Sequence, residues 1–270
     1  MRLTDSHCHL THGRLAGQVE DVLKRAAQTG VVACVCASGD LEEAEAGRRL
    51  CRRFAARADL PRLKFTAGIH PHQAKSAPVD LAAQLAELAG DADCVAVGEI
   101  GLDYHYDFSP RPAQRQAFEA QLAVARQLGA RVVIHTREAF DDTLAILRAS
   151  GVDGRSVVFH SCTQDQADVA RILDFGAMVG FSGIATFKNA DYLRLAAGLV
   201  GDDRIMVETD APYLSPEPLR AMRNNEPANV AHVAAALAAA RKMAAEAFAE
   251  LTTQNAMRFF SMGPGQEKSI

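Results

Sequence analysis

No stretch of 18 uninterrupted apolar residues occurs in this chain, so nothing in it reads as a membrane-spanning helix. The alanine-rich segment 230–249 comes nearest, but His232, Arg241, Lys242 and Glu246 interrupt it, as suits a helix in water. The first residues lack the charged and then apolar pattern of a secretion signal. C-x-x-C pairs are missing too: the six cysteines stand at 8, 34, 36, 51, 94 and 162, several of them inside apolar runs. That usage fits reduced, buried thiols and a cytoplasmic location. Nor is there an excess of positive charge, since 33 acidic and 29 basic residues leave a net −4. Proteins that grip duplex DNA through many phosphates are usually basic, so any nucleic-acid contact is expected to be local. No Pro/Ser/Gly-rich linker divides the chain and no internal repeat is evident. Residues 1–262 are expected to form one domain and 263–270 a disordered tail.

What the chain does have is alternation. Short apolar, β-branched runs occupy roughly 3–9, 31–37, 63–69, 94–100, 131–135, 156–160, 177–181 and 204–208. Between them lie helical patterns: Val19, Val22, Leu23, Ala26 and Ala27 form one stripe, and Phe118, Leu122, Ala125 and Leu128 another. Eight strands alternating with helices, in 270 residues, predict an α/β fold of the (β/α)8 TIM-barrel type, which typically takes about 250 residues. A doubly wound open sheet is the competing architecture.

In such barrels, chemistry sits at the C-terminal ends of the strands. Polar residues gather there in this sequence. His7 and His9 close the first run, His70 and His72 follow the third, and Glu99 closes the fourth. His135 and His160 close the fifth and sixth, and Glu208 and Asp210 the eighth. Because side chains alternate along a strand, His7 and His9 share a face while Cys8 takes the other, which makes a metal half-site. Each residue has a bland reading as well. Buried histidines often only hydrogen-bond, Glu99 would pair with Arg137, and Asp210 before Ala211-Pro212 is good helix N-cap chemistry.

The motifs Asp5-Ser6-His7-Cys8-His9-Leu10, Gly68-Ile69-His70-Pro71-His72, Gly98-Glu99-Ile100-Gly101-Leu102-Asp103-Tyr104, Ile134-His135-Thr136-Arg137, Phe187-Lys188-Asn189 and Glu208-Thr209-Asp210-Ala211-Pro212-Tyr213-Leu214 resemble, in order, those of the TatD family of metal-dependent deoxyribonucleases. The resemblance runs from residue 5 to about residue 260. It implies an amidohydrolase-like barrel with two divalent ions (Mg²⁺, Mn²⁺, Co²⁺ or Zn²⁺), one held by His7, His9, Glu99 and Asp210, the other by Glu99, His135 and His160. It further implies hydrolysis of nucleic-acid phosphodiesters by metal-activated water, often as a 3′→5′ exonuclease, with single-stranded DNA the favoured substrate and Asp210 and Glu99 the catalytic carboxylates. No lysine stands in the fourth run, so Glu99 is the expected bridge between the ions.

His70, His72, Arg137, Lys188, Arg220 and Arg223 are candidates for phosphate contact. Tyr104 and Tyr213 are candidates for base stacking, and Asp103 for orienting a ligand histidine. Residues 161–164, 216–227 and Phe140 depart from the family's usual pattern. The protein is expected to work as a monomer or weak homo-oligomer. Two other functions compete: a small-molecule amidohydrolase acting on an amide, ester or phosphotriester, because fold does not fix substrate, and a non-catalytic, metal-stabilised binding protein.

Overall fold

The computed structural model describes residues 1–263. The tail predicted to be disordered lies, beyond its first residue, outside them. Eight strands are present: β1 (Leu3–Cys8), β2 (Val31–Cys36), β3 (Arg62–Ala67), β4 (Cys94–Asp103), β5 (Val132–Arg137), β6 (Val157–Phe159), β7 (Met178–Phe181) and β8 (Ile205–Val207). They form one parallel sheet in sequence order. It is nearly closed into a barrel where the chain just beyond β8 returns to β1: Asp210 N donates to the His7 carbonyl at 2.9 Å, and His9 N to that of Ala211 at 2.6 Å. The predicted (β/α)8 barrel is thus the observed one. The open-sheet alternative fails on this closure.

The helices are α1 (Val19–Gln28), α2 (Leu41–Phe54), α3 (Leu81–Ala89), α4 (Arg111–Leu128), α5 (Phe140–Ser150), α6 (Gln166–Phe175), α7 (Asp191–Leu199), α8 (Val230–Ala240) and α9 (Ala245–Phe259). Their limits have local causes. At the start of α2, Asp40 accepts from Glu43 N at 2.8 Å while Glu43 accepts from Gly39 N at 2.8 Å, so donors that the helix leaves orphaned are satisfied on both sides. Helices α4, α5 and α6 each end on a glycine with left-handed backbone.

Strand alternation sends side chains to two cores. Cys34 and Cys36 of β2 join the layer between sheet and helices, whereas Ala33 and Val35 face the barrel interior beside Val95, Val133, Val158, Met178 and Met206. Phe259, Phe260 and Met262 pack against that inner cluster. The floor of the barrel is therefore filled with apolar side chains, and the polar strand ends are left for the opposite mouth. All six cysteines are buried thiols, and no helix among the described residues is long and apolar enough to cross a membrane.

Candidate metal centre

Glu99, buried on β4, is the hub of the barrel mouth. One of its oxygens, Oε2, lies 3.2 Å from His7 Nε2 and 3.6 Å from His9 Nε2. The other, Oε1, lies 2.7 Å from His160 Nε2, 2.8 Å from His135 Nδ1 and 3.4 Å from His70 Nε2. Asp210 completes the first side, with Oδ1 3.3 Å from His9 Nε2 and 3.8 Å from His7 Nε2. Donor atoms of His7, His9 and Glu99, of His70, Glu99 and His135, and of His7, His160 and Asp210 each fall within 4.8 Å of one another. All are oxygen or imidazole nitrogen, a set suited to hard and borderline divalent ions.

The electrostatics fit a cation. Burial alone would raise the Glu99 carboxyl, yet the charges of His160 and His70 and the bonds from His135 and His160 hold it well below the usual carboxylate range. Asp210 behaves alike: burial is outweighed by the His9 bond and by neighbouring imidazoles, and its pKa falls. Burial, followed by the charge of His135, brings His70 down to about 4, so its ring is neutral at physiological pH. Among the described residues no Lys or Arg pairs with Glu99. Burial would lower His9, His135 and His160, but the bonds and charges of Asp210, Asp103, Glu99 and Glu208 raise all three, so the buried carboxylates draw positive charge onto their imidazoles, the charge that divalent ions would supply in place of those protons. The donor set therefore fits the metals that the sequence resemblance implies.

The bland readings can be checked individually. Arg137 is not on Glu99; its guanidinium lies 4.7 Å above the Tyr106 ring. Asp210 caps no helix, since the chain turns irregularly after it until residue 227. It takes left-handed backbone, φ +56°, which Asp tolerates better than most residues.

Behind the ligand candidates stands a layer of carboxylates. Asp103 Oδ2 lies 3.1 Å from His135 Nε2 and 3.0 Å from His72 Nε2, the orienting role expected of it. Glu208 Oε1 lies 3.2 Å from His160 Nδ1 and also accepts from Ser161 N. Two glycines make room here. A Cβ on Gly101, whose φ is +143°, would fall 1.9 Å from the His135 carbonyl, and one on Gly180 would fall 2.6 Å from Glu208 Oε2.

A cavity of about 860 Å³ opens over the cluster and is lined by His70, His72, Asp103, Arg137 and Tyr213 as well as by His9, Glu99, His135, His160 and Asp210. Of the other phosphate candidates, Lys188, Arg220 and Arg223 are exposed and stand outside its lining. Arg220 lies 3.6 Å over the Phe187 ring instead. Tyr104 donates to Asp142 at 2.8 Å and lies under Arg111, which leaves it lining a neighbouring cavity. Tyr213 is at the mouth, 43% exposed, with the Arg14 guanidinium 4.6 Å over its ring.

Sequence reasoning passed over Arg14, which is isolated in the sequence, and over Tyr106 and Phe108, although aromatics alternate at 104, 106 and 108. It named Glu208 only as a neighbour of Asp210. The departures from the family pattern are absorbed by packing: Ser161 reaches Ser182 Oγ at 2.8 Å, and Phe140 packs 6.2 Å from Phe159 with Arg171 above it.

The profile of the family described as TatD related DNase matches residues 4–261. An uncharacterized metal-dependent hydrolase of Escherichia coli, YcfH, is 38% identical over 273 residues, covering 100% of both chains. A protein of Musicola paradisiaca named as the 3′-5′ ssDNA/RNA exonuclease TatD is 33% identical over 263 residues, covering 96% of this chain and 98% of its own. Among solved structures, the TatD homolog YJJV of Escherichia coli superposes with a TM-score of 0.86 at 27% identity, covering 96% of this chain and 98% of that one.

Proposed function

We propose, from the premise that the chain belongs to the TatD-related DNase family and is a metal-dependent hydrolase, that it cleaves nucleic-acid phosphodiesters with two divalent ions, as a 3′→5′ exonuclease on single-stranded DNA. The observation that carries this reading is the division of Glu99. One oxygen faces His7 and His9 and the other faces His70, His135 and His160, the arrangement expected of a carboxylate shared by two ions.

In this reading His7, His9, Glu99 and Asp210 hold one ion, and Glu99, His135 and His160 the other, with His70 beside the second set. When bound, such a pair supplies a water acidified toward neutrality and an anchor for a phosphate oxygen. The chain's own groups do the rest. Asp210, ionised at neutral pH and facing the first histidine pair, takes the proton from the attacking water. Asp103 and Glu208 hold His135 and His160 by their second nitrogens, fixing tautomer and ring orientation. Arg137, on the cavity wall, stabilises charge on the phosphate as the sugar oxygen leaves.

The test is incubation of metal-reconstituted protein with end-labelled single-stranded DNA, duplex DNA, RNA and a panel of esters and amides. A ladder receding from the 3′ end of the single strand is expected. Turnover confined to the small esters or amides would replace this reading with that of a small-molecule amidohydrolase.

A further inference from the structure

Phe108 is 56% exposed, the one exposed phenylalanine of the chain's twelve. Tyr106, 46% exposed, lies against it with ring centroids 5.1 Å apart and planes inclined by 24°. His72 meets both rings edge-on, at 4.8 Å and 5.4 Å. All three line the cavity over Glu99 and Asp210. Two half-open rings stacked at the rim of a polar site forgo burial that apolar surface normally gains; Arg137 lies over the Tyr106 ring, and Phe108 is the more exposed of the two.

We infer that the Tyr106–Phe108 pair is a stacking station for the nucleobase next to the scissile phosphate. The inference rests on the phosphodiester reading above and adds to it how the strand is held.

The loop that carries the pair is pinned rather than loose. Asp103 Oδ1 accepts from Tyr106 N at 2.8 Å and from His105 N at 3.1 Å, and Lys75 Nζ donates to the Phe108 carbonyl at 3.0 Å. Ser109, next in the chain, donates to the His72 carbonyl at 2.8 Å. Asp103 is also the carboxylate whose other oxygen holds His135. One side chain thus fixes both a metal-ligand candidate and the backbone under the aromatic pair, so the distance from platform to reacting centre is set by covalent geometry and two hydrogen bonds. Such preorganisation limits the ordering cost of binding. Arg137 above Tyr106 adds positive charge where a strand's phosphate must follow its base. Because every base has a π face, this station holds any of the four, and a strand is gripped by stacking instead of by many phosphate contacts. That matches a protein of net charge −4.

The experiment uses metal-loaded protein and single-stranded DNA with 2-aminopurine at one of the last two 3′ positions, mixed rapidly so that binding is read before turnover. Stacking quenches the probe. Wild type should quench it, Tyr106→Ala/Phe108→Ala should not, and Phe108→Trp should keep the quench. The KM for strand cleavage should rise about ten-fold in the double variant, the usual worth of one stacked base, whereas a strand abasic at those positions should be an equally poor substrate for both proteins. Phe108→Leu, which keeps apolar bulk without a π face, should lose quenching in the same way. A wild-type enzyme that degrades the strand while the double variant shows unchanged quenching and KM overturns the station and leaves the nuclease reading intact. A wild type that neither binds nor degrades any strand overturns both.

Discussion

Glu208 reaches from the end of β8 to stand behind His160, its Oε1 3.2 Å from Nδ1, while the opposite nitrogen of that imidazole lies 2.7 Å from Glu99. The intervening strand, β7, allows this because it has Gly180 at the crossing: a Cβ there would sit 2.6 Å from Glu208 Oε2. Ser6 on β1 donates to the same oxygen at 3.2 Å. Residues of three strands beyond His160's own therefore decide which nitrogen of His160 faces the centre.

Removing that support should loosen the metal without touching a ligand. Glu208→Gln keeps the shape but not the charge that holds His160 Nδ1–H, and metal affinity should fall about 10–100-fold, the usual loss for such an outer partner. Gly180→Ala should act in the same direction by displacing the carboxylate. Titration with Mn²⁺ or Zn²⁺ followed by calorimetry checks both. Wild-type affinity in Glu208→Gln would mean that His160 is oriented by packing alone.

Glu99 gives a test of stoichiometry. Reconstituted wild type should hold about two ions per chain, as a shared carboxylate requires, and Glu99→Ala should release both. Elemental analysis after gel filtration measures this. Full occupancy in the variant would remove Glu99 from its place between the ions.

Much of this is legible in the sequence, for identifiable reasons. Strand order and strand ends followed from alternation, because parallel strands buried on both faces read as continuous apolar runs, and a polar residue closing such a run is conspicuous. His7, His9, Glu99, His135, His160 and Asp210 were visible in this way, as was the orienting role of Asp103. The cationic rim was legible only in part. Lys188, Arg220 and Arg223 sit in irregular segments whose path depends on tertiary packing and stand outside the cavity lining, whereas Arg137, also named from the sequence, is on it, and Arg14, which was not, covers the Tyr213 ring beside it. His70 was read as suited to phosphate contact or to an additional metal. Its Nε2 lies 3.4 Å from Glu99, among the ligand candidates. Tyr104, a stacking candidate, has its hydroxyl engaged by Asp142 and Arg115 and lines the neighbouring cavity, whereas Tyr106 lines the one over Glu99.

The buried thiols should be chemically silent in the native protein. Burial pushes Cys36 up to about 11 and Cys162 up to about 12. Since the thiolate is the reactive form, almost none is present at neutral pH. A disulfide reagent at pH 8 should find essentially no reactive thiol in the folded chain and all six in denaturant. Rapid native labelling of one or more cysteines would show that the layer between sheet and helices opens.

Asp210 offers the sharpest separation of binding from chemistry. Its Oδ1 lies 3.3 Å from His9 Nε2 and 3.8 Å from His7 Nε2, so it stands with the first histidine pair, and its lowered pKa leaves it ionised and able to accept a proton at neutral pH. Asparagine keeps the size and a carbonyl ligand but has no basic oxygen at that pH. Asp210→Asn should therefore retain most of its metal and lose about 10²–10⁴-fold in turnover, the usual contribution of a positioned base. Asp210→Ala should lose metal affinity as well. Because the two variants differ in ligation and share the missing base, comparing metal content with single-turnover rates separates the roles. A metal-loaded Asn variant that degrades single-stranded DNA within a few-fold of wild type would place the base elsewhere and leave Asp210 a ligand only.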